Sequence, residues 1–159
     1  MSTSLFTTQA QFVKSLAHPR RLEIIHLLKD HELAVSDIHS MLDVPQANVS
    51  QHLMILKDAG VVVDRRDGKE IYYSLVDPRI ITASLILREV MIGHSSDLDK
   101  NDAVLKDTDI DEVTDLVCGM HISARDTLFS EMYDGKKYYF CASGCLKKFT
   151  DNPNNYVKN

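Results

Sequence analysis

The stretch that decides the fold is Asp43-Val44-Pro45-Gln46-Ala47-Asn48-Val49-Ser50-Gln51-His52-Leu53-Met54-Ile55-Leu56-Lys57-Asp58-Ala59-Gly60. Val49, Leu53 and Leu56 recur at the spacing of one helical face, so a helix is expected from about Gln46 to Ala59. Gly60 supplies its stop and Asp43-Val44-Pro45 a tight break before it. The early turns of this helix are crowded with Gln46, Asn48, Ser50 and Gln51. One face is therefore built for a core and the other for hydrogen bonding.

Working back from that break, Ile38 and Leu42 mark a short helix, with Ser36 as its expected N-cap. Before it, Leu22, Ile24, Ile25, Leu27 and Leu28 form a helical stripe that opens at Pro19, directly after a break at His18. Leu5, Phe12, Val13 and Leu16 give a first helix. Working forward, the period changes. Val61-Val62-Val63 and Ile71-Tyr72-Tyr73-Ser74-Leu75 are β-type runs, and Asp67-Gly68 between them is a hairpin signal. After Asp77-Pro78 comes a helix apolar on nearly every side, through Ile80, Ile81, Leu85, Ile86, Leu87, Val90, Met91 and Ile92. Such a helix is buried on two sides, which implies a partner subunit.

Two short helices joined by a tight turn and followed by a hairpin make a helix-turn-helix with a wing. In that plan Gln46, Ala47, Asn48, Ser50, Gln51 and His52 fall where a recognition helix meets DNA. Gln and Asn can pair bidentately with adenine, and Ser can donate or accept. Arg65, Arg66 and Lys69 in the wing suit phosphates or the minor groove. Singly, each residue reads as an ordinary solvated surface, and His52 as a cap on the core edge. The ordered combination carries the weight.

On those residues, Ser36-Asp37-Ile38, Val49-Ser50-Gln51-His52-Leu53, Leu56, Ala59-Gly60-Val61-Val62 and the wing ending in Ile71–Leu75, the chain resembles the ArsR/SmtB winged-helix repressors over about residues 5–95. The resemblance implies a homodimer built from the first and last helices of that region. It also implies a repressor that binds an inverted repeat in double-stranded operator DNA and leaves it when an inducer binds. The metal sites common in that family are missing. Ala34 and Ser36 stand where many members carry cysteines, and the last helix offers only Glu89, with His94 beyond it. His31, His39 and His94 are scattered.

The composition agrees with a globular regulator. The chain has 159 residues, 44% hydrophobic and 26% charged, which is neither disordered nor membrane-spanning in character. The N-terminus lacks the pattern of a secretory signal, so a cytoplasmic location without membrane association is expected. The net charge of -5 opposes DNA binding in bulk. Much of the acid, however, lies in Asp97, Asp99, Asp102, Asp107, Asp109, Asp111, Glu112 and Asp115, opposed only by Lys100 and Lys106, and local clustering decides the matter. Residues 1–95 are thus expected to be the DNA-binding and dimerisation domain, 96–113 an acidic linker, and 114–159 a second, small unit. The fold class is mainly α with small β: a winged helix-turn-helix followed by an α+β cysteine module. No phosphate loop, nucleophile–base set or paired carboxylates stand in a recognisable frame, so no enzyme is expected.

The second unit holds all three cysteines. Cys141-Ala142-Ser143-Gly144-Cys145 sets two thiols four residues apart, a spacing that shares one face of a helical turn. Cys118 sits in a turn beside Gly119 and can supply a third sulfur. Three thiolates match Cu(I) or Ag(I) better than hard ions, whereas Zn(II) prefers a fourth ligand, for which His121 and Met120 are candidates. Singly, the cysteines read as buried apolar residues and Met120 as core. Asp115-Leu116-Val117-Cys118-Gly119-Met120, Gly135–Cys141, Cys145, Phe149, Pro153 and Tyr156 resemble the YHS/TRASH metal-binding modules over residues 114–157, with Leu116 where proline is common. That resemblance implies Cu(I)/Ag(I) handling, with Zn(II), Hg(II) or As(III) also open. The functional expectation is a metal-responsive repressor. The alternatives are a thiol-based redox-sensing repressor and a metal buffer or chaperone dimerised by its helix-turn-helix half.

Overall fold

Helical periodicity and turn chemistry produce the expected order at the N-terminal end of the computed structural model, which describes residues 2–94 and 112–157. The elements are α1 (Ser2–Leu16), α2 (Pro19–Leu27), β1 (Leu33–Ala34), α3 (Val35–Leu42), α4 (Gln46–Asp58), β2 (Val62–Asp67), β3 (Glu70–Leu75) and α5 (Arg79–His94). From residue 112 onward come β4 (Glu112–Thr114), β5 (His121–Ser123), β6 (Phe129–Tyr133), β7 (Lys136–Phe140), α6 (Ser143–Asp151) and a 3-10 turn at Pro153–Asn155. The chain divides into two compact units. Among the described residues no helix is long and apolar enough to cross a membrane. Most of the expected acidic linker, residues 95–111, lies outside the described residues.

In the first unit α2 opens as its sequence dictates. Pro19 occupies the first turn, and His18 in extended conformation caps it, its ring Nδ1 accepting from the Arg20 N–H at 3.1 Å. Ile24, Ile25, Leu27, Leu28, Ile38, Val49, Leu53, Leu56, Val61, Val62, Ile80 and Ile81 form the core. Helix α4 ends through Ala59 and Gly60, whose φ of +73° is left-handed backbone that glycine adopts without strain. The wing hairpin pairs Asp67 with Glu70, leaving Gly68 and Lys69 as its two-residue turn. Gly68 at φ +60° in the first central position fits the II′ type, whose twist matches that of the flanking strands. One local expectation needs correction. Ser36 does not cap α3; the helix already begins at Val35. The reason is β1, a two-residue strand on the edge of the wing sheet, which pairs Leu33 with Tyr73 and Ala34 with Tyr72 and feeds directly into the helix. A strand this short has no period to read.

The second unit is two hairpins and a helix. Strands β4 and β5 pair Val113 with Ile122, so Glu112 and Val113, read from sequence as the end of a linker, are strand. Strands β6 and β7 close through Asp134 and Gly135, both at positive φ (50° and 73°), the signature of a type I′ turn. Phe149 of α6 is fully buried, with the rings of Phe140 and Tyr138 centred 4.9 and 5.1 Å away and those of Tyr133 and Tyr156 at 6.0 and 6.2 Å. This aromatic cluster is the apolar core of the unit.

Candidate DNA-reading face and thiol site

Helix α4 separates its two jobs by face. Val49, Leu53 and Leu56 are fully buried, whereas Gln46, Ala47, Asn48, Ser50 and Gln51 are exposed. The buried stripe holds the helix on its domain and leaves the amides and hydroxyl outward, able to meet base edges. His52 belongs to the inner side. Its ring lies 4.6 Å from that of His18, and its Nδ1 is buried without a hydrogen-bond partner. Burial, then the nearby His18, Arg21 and Arg20, holds His52 below the usual imidazole range, so it favours the neutral ring.

The wing carries Arg65, Arg66 and Lys69 among Asp64, Asp67 and Glu70, with internal ion pairing. Arg65 donates through Nε to Glu32 at 3.1 Å, bridges to Asp67 at 3.2 Å and stacks over Tyr72, the residue opposite it on β3, at 5.2 Å. Lys69 in the turn and Arg66 beside it are both exposed, and Arg66 donates to the Gly68 carbonyl at 3.4 Å. Elsewhere in the domain, α1 leaves Leu5, Phe6 and Val13 exposed, and α5 leaves Ile86, Leu87, Val90 and Met91 exposed. Phe6 is 71% and Leu87 62% exposed.

The three cysteines converge. Cys118 Sγ lies 3.5 Å from Cys141 Sγ, which lies 3.6 Å from Cys145 Sγ. None is in a disulfide. The route differs from the one expected. Cys141 and Cys145 do not share a helical turn, because α6 starts at Ser143 with Ala142 as its N-cap. Cys141 precedes the helix and Cys145 sits in its first turn. Two of the three sulfurs are thus carried by the segment that leads into α6 and by its first turn, near the helix end whose dipole favours negative charge.

Asp115, which the sequence offers as one of the acids and as the start of the YHS-like run but not as a site residue, completes the cluster. A ligand atom from each of Asp115, Cys118, Cys141 and Cys145 lies within 4.8 Å of the others. Its carboxylate accepts through Oδ1 from the N–H of Val117 at 2.8 Å and of Cys118 at 3.4 Å, and through Oδ2 from the N–H of Cys141 at 2.8 Å. The backbone closes the same turn, with Asp115 N–H donating to the Met120 carbonyl at 2.9 Å and Gly119 N–H to the Asp115 carbonyl at 2.8 Å. Gly119, at φ +80°, makes that reversal without strain. His121 is in β5, with its Nδ1 3.4 Å from Thr114 Oγ1 and 4.0 Å from Glu112, and it is outside the cluster. Met120 contributes its carbonyl to the turn.

Charge in the site is shared. Hydrogen bonds from the Cys141 and Cys145 thiols hold the Cys118 thiol well below the usual range, as a thiolate. Those same bonds, together with burial, push the Cys141 and Cys145 thiols up. Burial, and then the adjacent Cys118 charge, raises the Asp115 carboxyl, with the Cys141 N–H opposing. The donor set fits a thiophilic cation. Sulfur separations of 3.5 and 3.6 Å approach the edge of about 3.8 Å expected of a tetrahedral site with metal–sulfur bonds near 2.3 Å.

A helix-turn-helix whose second helix turns a polar face outward, followed by a β-hairpin wing, defines a winged-helix regulator, here carrying a cluster of three thiols. Residues 18–63 match the family described as bacterial regulatory protein, arsR family, and residues 113–159 match the YHS domain. An HTH-type transcriptional regulator of Mycobacterium tuberculosis is 37% identical over 97 residues, covering 60% of this chain and 85% of the relative. A probable mercury resistance operon repressor of Streptomyces lividans is 34% identical, over 58% of this chain and 74% of its own length. The homodimeric winged helix-turn-helix DNA-binding domain of a possible ArsR-family regulator from Mycobacterium bovis superposes with a TM-score of 0.53 at 30% identity, covering 58% of this chain and 85% of that one. The chain belongs to the arsR family of transcriptional regulators, with a YHS domain at its C-terminal end. The family is regulatory and not enzymatic.

Proposed function

We propose that the protein is a metal-responsive repressor that holds operator DNA as a homodimer and releases it when Cys118, Cys141 and Cys145 capture a soft metal ion, Cu(I) or Ag(I) foremost. The observation that carries this reading is the thiol triangle, three sulfurs from two separate segments gathered within 4.8 Å of one another. Three thiolates favour soft, low-coordinate ions. Hg(II), As(III) and Zn(II) are the next ions to try, Hg(II) first because of the mercury resistance operon repressor among the relatives. Gln46, Ala47, Asn48, Ser50 and Gln51 would read bases, Arg65, Arg66 and Lys69 would engage the backbone, and His52 would hold α4 in place from behind. The exposed faces of α1 and α5 would form the dimer, as the homodimeric neighbour suggests. Residues 1–95 would form the DNA-binding domain, 114–159 the sensor and the acidic segment their linker. Three free thiols suit a reducing cytoplasm.

Metal-linked ordering of the cysteine module can supply several kcal/mol, ample for the ~1–3 kcal/mol of a typical allosteric coupling. The test is fluorescence anisotropy on the protein's own promoter at fixed salt, under anaerobic reduction, with and without Cu(I) or Ag(I). The expected result is tight binding without the ion and weakened binding with it, the response vanishing in Cys118→Ser, Cys141→Ser and Cys145→Ser. Tight, unchanged binding after stoichiometric metal uptake would reject the metal signal. A redox reading has one observation in its favour: an exposed Cys118 thiolate 3.5 Å from the Cys141 sulfur. Operator release by peroxide in metal-free protein would establish it instead.

A further inference from the structure

Asp115 is 0% exposed, yet it carries a carboxylate. Buried carboxylates persist where hydrogen bonds satisfy them, and here the donors come from two distant stretches of chain. The bonds from Val117 and Cys118 make a local Asx turn of a common kind. A local turn does not account for the third bond, from the Cys141 N–H at the end of β7. That bond links the Cys118 turn to the segment bearing Cys141, across 26 residues of sequence. With Oδ1 and Oδ2 both accepting from backbone N–H groups, the carboxylate is oriented by the fold.

We infer that Asp115 is the positioning residue of the thiol site: by bridging the Cys118 turn to the end of β7 it assembles the sulfurs before an ion arrives, and it is not a fourth ligand. The inference rests on the reading of the cysteines as an ion site, and its test separates the two. Groups that orient metal ligands from outside typically contribute 10–100-fold to affinity. Asp115→Ser is the informative variant, because a serine hydroxyl can still accept from the N–H two residues on but does not reach Cys141. Asp115→Asn keeps the shape and replaces one acceptor with a donor.

In the full-length protein, Cu(I) affinity by anaerobic chelator competition is expected to fall roughly 10–100-fold in both variants. The thiolate-to-metal charge-transfer band per bound ion should stay where it is in the unmodified protein. In metal-free protein, a short bifunctional thiol alkylator should cross-link Cys118 to Cys141 at least about tenfold more slowly in both variants, since it reads sulfur proximity without any ion. Native circular dichroism with unchanged affinity and cross-linking in Asp115→Ser would overturn the proposal. A displaced charge-transfer band would also overturn it, by making Asp115 a ligand. If both variants unfold the module, amide exchange in the unmodified metal-free protein decides: strong protection of the Cys141 N–H supports the bridge, and exchange at the rate of an open loop refutes it. If the unmodified protein takes up no ion, the ion reading fails, while cross-linking and exchange still judge Asp115.

Discussion

The two units of this protein are stabilised in different ways. The first buries a dozen aliphatic side chains from α2, α3, α4, the wing and α5, and its functional groups lie outside that core on the open face of α4 and on the wing. The second has little aliphatic burial. Over residues 112–157 its interior is Phe140 and Phe149 with Ala124, Ala142, Cys145 and the Asp115 carboxylate. Function and stability are therefore separable in the first unit and joined in the second, where thiols and carboxylate are part of what holds the fold. Units this small often depend on a metal or a neighbour for that reason.

The largest expected effect tests the aromatic core. Phe149→Ala should destabilise the second unit by about 3–5 kcal/mol, read as faster amide exchange in β6, β7 and α6. Retained protection there would mean that the polar brace, not the ring cluster, carries the unit. Next comes the ion. At a free concentration of about 100 times its dissociation constant, Ag(I) should stabilise the second unit by about 2.7 kcal/mol and leave exchange in the core of α4 unaltered. Stabilisation equal in both units would mean that the ion does not act on the second unit alone. The smallest effect belongs to the reading face. Gln51→Ala should weaken operator binding by about 1–3 kcal/mol if it contacts a base, with an unchanged thermal midpoint. A fall in stability alongside would show that the open face of α4 has a structural role after all.

Much of the first unit was legible because its signals are local. The spacing of Val49, Leu53 and Leu56 describes a helix face, Pro19 and Gly60 mark ends, and β-type runs flank the Gly68 turn. What escaped there was β1, whose two residues are defined only by their partners on β3. The second unit was harder. Its cysteines were evident, but the hairpin through Asp134 and Gly135 was overlooked despite carrying an Asp-Gly signal like the one recognised in the wing. Helical spacing also misdescribed Cys141 and Cys145, since the helix begins between them.

The sequence by itself determined the two-faced α4, the all-round apolar α5 and the presence of three thiols in one short segment, because periodicity and composition are properties of neighbours along the chain. Only the tertiary structure decided that His52 turns inward onto His18, that Arg65 is held by Glu32, and that Asp115 rather than His121 stands beside the thiols. Each of these depends on one hydrogen bond, ion pair or ring contact between residues far apart in sequence. Such contacts follow no local period and arise only once both segments have folded.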